Sequence, residues 1–272
     1  MIDPVRRVER RAWRAGKLAG GQRAIPEETA VAFTYNGTTH AVMMATPRDL
    51  EDFALGFSLT EGVITSPAEI EALEIIEEPL GVELRMRLAE PRATAFQERR
   101  RSLAGPTGCG LCGIESLEEA MRVPAEVAGD GSRFTPDDVM AALDLLHSRQ
   151  AINRTTHAVH GAGFYRRGKG LLTLREDVGR HNALDKLAGS LARSGERGEG
   201  GIAILTSRLS VELVQKAAAI GIPVLAAVSV PTALAVRTAE AAGMTLIAVA
   251  RADGFEIFTH AHRIEESERV DA

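Results

Sequence analysis

Residues 201–250 read GIAILTSRLSVELVQKAAAIGIPVLAAVSVPTALAVRTAEAAGMTLIAVA, and this stretch decides the fold. Three short apolar runs, Ile202 to Leu205, Val224 to Val228 and Leu246 to Ala250, alternate with helical stretches over 210–220 and 231–242. Gly221 and Gly243 stand where each helix should end, a position that favours a left-handed residue. Strands that are apolar on both faces and separated by helices call for a parallel sheet covered on both sides, a βαβαβ unit. Thr206-Ser207-Arg208 follows the first strand and opens a helix. Open parallel sheets place their ligand crevice at the C-terminal ends of their strands, so Ser207 and Arg208 become candidate phosphate-binding residues.

Upstream lies Arg175-Glu-Asp-Val-Gly-Arg-His-Asn182, dense in polar groups just before helical Ala183 to Leu191. Asp177 or Asn182 could cap that helix. Arg180 and His181, placed at the helix N-terminus, also suit an anionic ligand. Gly163-Phe-Tyr-Arg-Arg-Gly-Lys169 nearly spells a phosphate-binding loop, but Gly170 stands where Ser or Thr should be, and strand-like Leu171 to Leu174 follows. A hairpin turn is the expectation there. His157 and His160, in an alternating segment, read as surface or satisfied histidines. Thr135-Pro136-Asp137-Asp138 starts a helix with Val139, Ala142, Leu143 and Leu146 on one face. Phe255 to His260, the chain's last strand-like run, reads as an edge strand on periodicity alone.

Towards the N-terminus, Thr29 to Tyr35 and Thr39 to Met44 are strand-like and flank Asn36-Gly37, a strong hairpin signal. Thr46-Pro47 is expected to cap and open a helix with Leu50, Phe53, Ala54 and Phe57 on one face, closed by Gly62. Leu73 to Ile76 and Val82 to Leu88 read as strands around Pro79 and Gly81. Residues 1–24 carry Arg6, Arg7, Arg10, Arg11, Arg14, Lys17 and Arg23 against Asp3 and Glu9, and read as a frayed basic tail. From Pro91 to Gly113 no pattern holds, which marks a linker or mobile loop. The expected organisation is a tail over 1–24, a smaller β-rich α+β domain over 25–125, and a layered α/β domain over 126–272.

Both cysteines of the chain sit in that loop, as Cys109-Gly-Leu-Cys112. Two sulfurs at this spacing can share a metal, form a disulfide, or let one thiol act on a species carried by the other. Zinc needs two further ligands, and no second CxxC or HxxxH exists in the chain. Two chains could still pool four cysteines across a twofold axis. Thioredoxin-like chemistry needs a preceding strand, and the ten residues before Cys109 have no strand character. Zinc deaminases need an HxE motif, and none of the seven histidines has Glu two residues on. Gly108, Gly110 and Gly113 match GxGxxG but follow no strand, so a dinucleotide site is not supported. No metal is expected within one chain.

The chain has 272 residues with 32 basic and 37 acidic side chains, a net charge of −5, and 45% hydrophobic residues. That length suits one large domain or two smaller ones. Mild acidity argues against nucleic acid as the main partner. The longest apolar run, Ile222 to Val228, is far shorter than the roughly 20 residues that span a bilayer, and the Arg-rich start has no apolar signal core. A soluble, cytoplasmic protein is the expectation.

Taken together, these segments resemble the formate dehydrogenase accessory sulfurtransferase family (FdhD-like), over about Glu28 to His262. The resemblance is carried by Tyr35-Asn-Gly37, Thr46-Pro47, Leu55-Gly-Phe57, Glu61-Gly62, Cys109-Gly-Leu-Cys-Gly113, Glu176-Asp-Val-Gly-Arg-His-Asn-Ala-Leu-Asp-Lys186, Gln215-Lys-Ala217, Gly221-Ile-Pro-Val-Leu-Ala-Ala-Val-Ser229 and Phe255-Glu-Ile-Phe-Thr-His260. It implies a cytidine-deaminase-like fold without catalytic zinc, in a cytoplasmic homodimer. It also implies a sulfur carrier that takes persulfide sulfur from a cysteine desulfurase. That sulfur passes to the molybdenum cofactor, Mo-bis(molybdopterin guanine dinucleotide), before insertion into formate dehydrogenase. By position, Cys109 would bear the persulfide and Cys112 would assist. Phe255, Glu256, Ile257, Phe258, Thr259 and His260 would form the cofactor-binding stretch. Arg180 and Arg208 are reasonable clamps for the cofactor's phosphates. The alternative, a chaperone that only binds and delivers the cofactor, would need residues 255–260 and the arginines but not Cys109.

Overall fold

The computed structural model describes residues 2–103, 124–127 and 131–265. The basic N-terminal segment is not a frayed tail. It is a hairpin in which β1 (Val5–Arg14) pairs antiparallel with β2 (Lys17–Pro26), from Val5 opposite Pro26 to Arg14 opposite Lys17. Ala15 and Gly16 at its tip both have positive φ, 48° and 79°. That backbone matches the right-handed twist of the strands, which is why two residues suffice to turn the chain.

Four further strands form the N-terminal sheet: β3 (Thr29–Tyr35), β4 (Thr38–Ala45), β5 (Ile70–Glu78) and β6 (Gly81–Leu88), in the order β4-β3-β6-β5. The Asn36-Gly37 turn has φ of 48° and 79°, as the sequence indicates. Helix α1 (Leu50–Thr60) covers this sheet, with Phe33, Phe53 and Phe57 at its centre and ring centroids 4.2 and 4.9 Å from Phe33. The helix starts later than Thr46-Pro47 suggests, after Asp49 in a left-handed conformation. Thr46 is instead buried, with its own N–H and hydroxyl committed to the Asp177 turn. Residues 90–103, expected to be irregular, form α2 (Glu90–Leu103). Ala93 and Phe96 bury one side of it, and Arg92 donates to the carbonyls of Gly62 and Val63 at 2.5 Å, tying α2 to the turn that follows α1.

The second sheet holds six strands in the order β12-β11-β10-β9-β7-β8. The preceding helices are α3 (Pro136–Arg149) and α4 (Ala151–Thr156), followed by β7 (His160–Arg166), β8 (Gly170–Asp177) and α5 (Arg180–Arg193). Then come β9 (Ile202–Leu205), α6 (Val211–Ala219), β10 (Val224–Ala227), α7 (Ala233–Ala241), β11 (Thr245–Arg251) and β12 (Gly254–Thr259). β9, β10 and β11 are parallel, as the alternating apolar runs predict, and Gly221 and Gly243 end their helices at φ of 72° and 68°. β7, β8 and β12 add antiparallel. The turn from β7 to β8 occupies 167–169, so the near phosphate loop is a hairpin.

Both sheet faces are buried. Ile202, Ile204, Val224, Ala226 and Ile247 meet the Val139–Leu146 face of α3. Ala203, Leu205, Leu225, Ala227 and Leu246 meet α5, α6 and α7. The α3 start has the expected capping box between Thr135 and Asp138. The two sheets are joined by α1 crossing α5 at backbone distance. A Cβ on Gly56 would lie 1.7 Å from the Asp185 carbonyl oxygen, and one on Gly189 would lie 1.8 Å from that of Asp52. The described residues therefore form a mixed α/β protein with a two-stranded hairpin, two larger sheets and helices between and around those two.

Candidate functional site

The strands of the larger sheet bring scattered polar residues to one end. β9 finishes at Leu205 and leads into Ser207 and Arg208. Antiparallel β7 begins at this end with His160, opposite Asp177, where β8 finishes. The chain then turns into α5, whose first residues are Arg180 and His181. Arg180, His181, Ser207 and Arg208 therefore share the C-terminal end of the parallel strands, together with His160. Ser207 is buried and its hydroxyl donates to the Arg208 carbonyl at 3.2 Å, while Arg208 is exposed.

Neither Asp177 nor Asn182 is the cap expected for α5; the N-cap is Gly179, without a side-chain bond. Asp177 is fully buried and acts as a hub. It accepts from the N–H groups of Gly179 (2.8 Å) and Thr46 (3.0 Å), from Asn182 Nδ2 (2.9 Å), and from Lys186 Nζ (2.6 Å). Lys186, also fully buried, donates to the Thr46 carbonyl at 2.8 Å. Burial pulls the Lys186 ammonium below its ordinary pKa, and the Asp177 charge works against that pull. This knot orients the start of α5 and ties it to the β4–α1 connection.

The start of α5 is left with polar groups to spare. Arg180 Nε and His181 Nε2 are buried and lack a hydrogen-bond partner among the described residues. Each such group costs about 1–3 kcal/mol if left unmade. Burial, then Arg180 and Lys216, push the His181 pKa down to about 4. Burial, then Arg180, also lower that of His160. A neutral His181 ring and the Arg180 guanidinium thus share a helix N-terminus with the Glu212 carboxylate in electrostatic reach, a set that suits an anionic acceptor at Arg180.

Behind this cluster lies a second buried ionic group that the residue-by-residue reading of the sequence did not single out. Lys216 on α6 donates to Asp185 on α5 at 2.9 and 3.1 Å, to Glu61 at 2.5 Å, and to Thr60 Oγ1 at 3.1 Å. Burial raises the Asp185 pKa. For Lys216 burial pulls the other way, and the Asp185 and Glu61 charges outweigh it and raise the value. The one available signal was a lysine amid Leu213, Val214, Ala217 and Ala218 on an amphipathic helix. Its partner Glu61 is 155 positions away, beyond any periodicity.

Phe255 to His260 is divided by the fold. β12 is the outer strand, three strand spacings or about 14 Å from β9. Phe255 lies at the same sheet end as Ser207, whereas His260 lies at the opposite end, about 17 Å further along the strand. There the His260 Nε2 is 2.9 Å from the Glu240 carbonyl oxygen. Thr259 is buried, accepting from Leu246 N–H and donating to the Met244 carbonyl. Glu256, Ile257 and Phe258 are exposed along the edge. Val249, with φ of 53°, sits in a left-handed conformation unusual for a β-branched residue and breaks the β11–β12 ladder near the Phe255 end. Cys109 and Cys112 lie outside the described residues. No helix among the described residues is long and apolar enough to cross a membrane.

A mixed α/β protein with two large sheets, buried lysine–carboxylate ties between them and an anion-fitting cluster of side chains at one sheet end is the class these features define. The chain belongs to the FdhD/NarQ family, whose profile matches residues 26–265. It is 56% identical over 259 residues to the sulfur carrier protein FdhD of Agrobacterium fabrum, covering 95% of this chain and 96% of the relative. The sulfur carrier protein FdhD of Brucella abortus is 54% identical, with 96% and 97% covered. Among solved structures, a putative formate dehydrogenase accessory protein from Desulfotalea psychrophila superposes with a TM-score of 0.74 at 25% identity, covering 97% of this chain and all of that one.

Proposed function

We propose that this protein is a sulfur carrier that serves formate dehydrogenase, holding the sulfur as a persulfide on Cys109. The observation that carries this reading is that relatives sharing more than half their residues over nearly the whole chain are sulfur carriers by name. The chemistry of the only two cysteines supports it. A Cys109 thiolate attacks the outer sulfur of a cysteine desulfurase persulfide, and the donor leaves as its own thiolate. Cys112 stands close enough in sequence to assist the onward step.

The recipient is Mo-bis(molybdopterin guanine dinucleotide), bound as substrate before its insertion into formate dehydrogenase. Its guanine dinucleotide arms carry phosphates, and the orphaned Arg180 and His181 nitrogens fit such an anion. Ser207 and exposed Arg208 line the same end. Phe255 and Glu256 extend the surface towards the sheet edge, with Ile257, Phe258, Thr259 and His260 continuing along it. The layered α/β half corresponds to a cytidine-deaminase-like fold without its zinc, working in the cytoplasm as a homodimer. Cells relying on a Cys109→Ala variant are expected to accumulate the protein at normal levels and show no formate dehydrogenase activity. Normal activity would instead favour a chaperone that only delivers the cofactor.

A further inference from the structure

We infer that the basic β1–β2 hairpin is an arm that docks this protein onto an anionic phospholipid bilayer surface. A two-stranded hairpin with both faces in water is marginal on its own. Among the described residues, the polar contacts that anchor this one lie at its base: the Arg6–Glu27 ion pair, the Glu27 N–H donating to the Pro4 carbonyl, and Arg23 donating to the Thr156 carbonyl at 3.4 Å. From the Val8–Arg23 row the strands continue six residues to the Arg14–Lys17 row, a reach of about 20 Å. Residues 1–24 hold seven basic and two acidic side chains, leaving the rest of the chain at a net charge of −10. An anionic surface repels such a body. The arm's reach is more than twice the Debye length of roughly 8 Å at physiological salt, so the tip feels attraction while the body's repulsion is screened.

The composition of the tip selects the partner. Residues 10–21 read RRAWRAGKLAGG, in which the four cations stand among Trp, Leu, Ala and Gly, with no carboxylate, amide or hydroxyl side chain. The one carboxylate within the strands, Glu9, is taken up by Gln22 Nε2 at 2.7 Å. Trp13 and Leu18 are cross-strand partners beside the Ala15-Gly16 turn, 71% and 54% exposed. Strand alternation puts them on the face of Arg11, and Arg10, Arg14 and Lys17 on the opposite face. The flat surface of a partner protein meets one of these faces, whereas phospholipid headgroups close around an inserted tip and meet both. A nucleic acid offers phosphates to the cations but leaves Leu18 and its alanine neighbours nothing apolar to enter. Cations with Trp and Leu are the make-up of interfacial segments, whose rings sit at headgroup level while basic side chains reach the phosphates. Both strands are free edges, and their unpaired main-chain groups hold the arm at that depth, because hydrocarbon cannot satisfy them.

Trp13 is the only tryptophan of the chain, so its emission reads the tip directly. The full chain is mixed with vesicles of phosphatidylcholine and phosphatidylglycerol, or of phosphatidylcholine alone. With the anionic vesicles the emission is expected to shift to the blue and the protein to sediment with them, and added salt should reverse both. Neither should occur with the neutral vesicles. Arg10→Glu, Arg11→Glu, Arg14→Glu and Lys17→Glu together should weaken partitioning more than about a hundredfold, at about fivefold for each cation lost. Trp13→Ser, which keeps every cation, should weaken sedimentation several-fold, and circular dichroism melts confirm that each protein is folded. A wild type that stays in solution beside the anionic vesicles, sedimentation without a Trp13 shift, or undiminished binding by the fourfold variant would each overturn the proposal. So would a shift produced by duplex DNA or single-stranded RNA and not by the vesicles.

Discussion

Asp177 accepts four hydrogen bonds while fully buried, and one of them comes from a lysine that is itself fully buried. Removing one partner of such a pair leaves an uncompensated charge in the interior, at a cost of about 3–5 kcal/mol. Asp177→Ala is therefore expected to lower unfolding free energy by that amount in urea titrations, with Lys186 left stranded. Asp177→Leu combined with Lys186→Met should regain much of the loss, because no charge is then buried. His181 makes a separate prediction. Its pKa falls from 6.5 to about 4 in the folded state, so the fold favours the neutral ring. The stability it contributes is complete above pH 6.5 and is lost as the pH falls through about 4, by up to roughly 3 kcal/mol. Urea titrations over that window should show a steeper loss for the wild type than for His181→Gln. Of this residue-scale picture, the sequence offered Arg180, His181, Ser207 and Arg208, because they stand at a strand end or helix start. It could not offer the Asp177–Lys186 and Asp185–Lys216–Glu61 knots, which draw Thr46 and Glu61 from the other sheet's side of the molecule.

At the scale of elements, close crossing of α1 over α5 depends on two glycines. A methyl group on Gly56 or Gly189 would overlap a main-chain carbonyl that no rotamer change can move. Gly189→Ala is expected to destabilise by about 3 kcal/mol or more, at the upper end of overpacking costs, read as a lowered melting temperature. Ser190→Ala, one residue away and with its hydroxyl bonded to Thr173 Oγ1 at 2.8 Å, should cost far less. The parallel strands and their helices were legible because strands buried on both faces are continuously apolar and their helices end in glycine. Other elements hid for physical reasons. β1 and β2 are basic on both faces, and their turn is Ala15-Gly16 rather than Asn-Gly. The start of α1 is displaced because Thr46 spends its hydroxyl on Val178. The first turns of α2 bury only Ala93 and Phe96, too few to set a period.

For the whole molecule, the sheet's C-terminal end gathers the anion-fitting residues, and the edge strand carries the 255–260 stretch from that end to the other. Arg180→Ala combined with Arg208→Ala is expected to abolish formate dehydrogenase activation while leaving sulfur loading of Cys109 intact, separating recipient binding from sulfur uptake. The loading step itself is the most direct test of the account. The purified chain, incubated with a cysteine desulfurase and cysteine, is digested and its peptides are weighed by mass spectrometry. A single added sulfur is expected on the peptide containing Cys109, removed by reductant and absent from Cys109→Ala. A chain that stays unmodified while the desulfurase turns over, or one that loads equally well without Cys109, would contradict it.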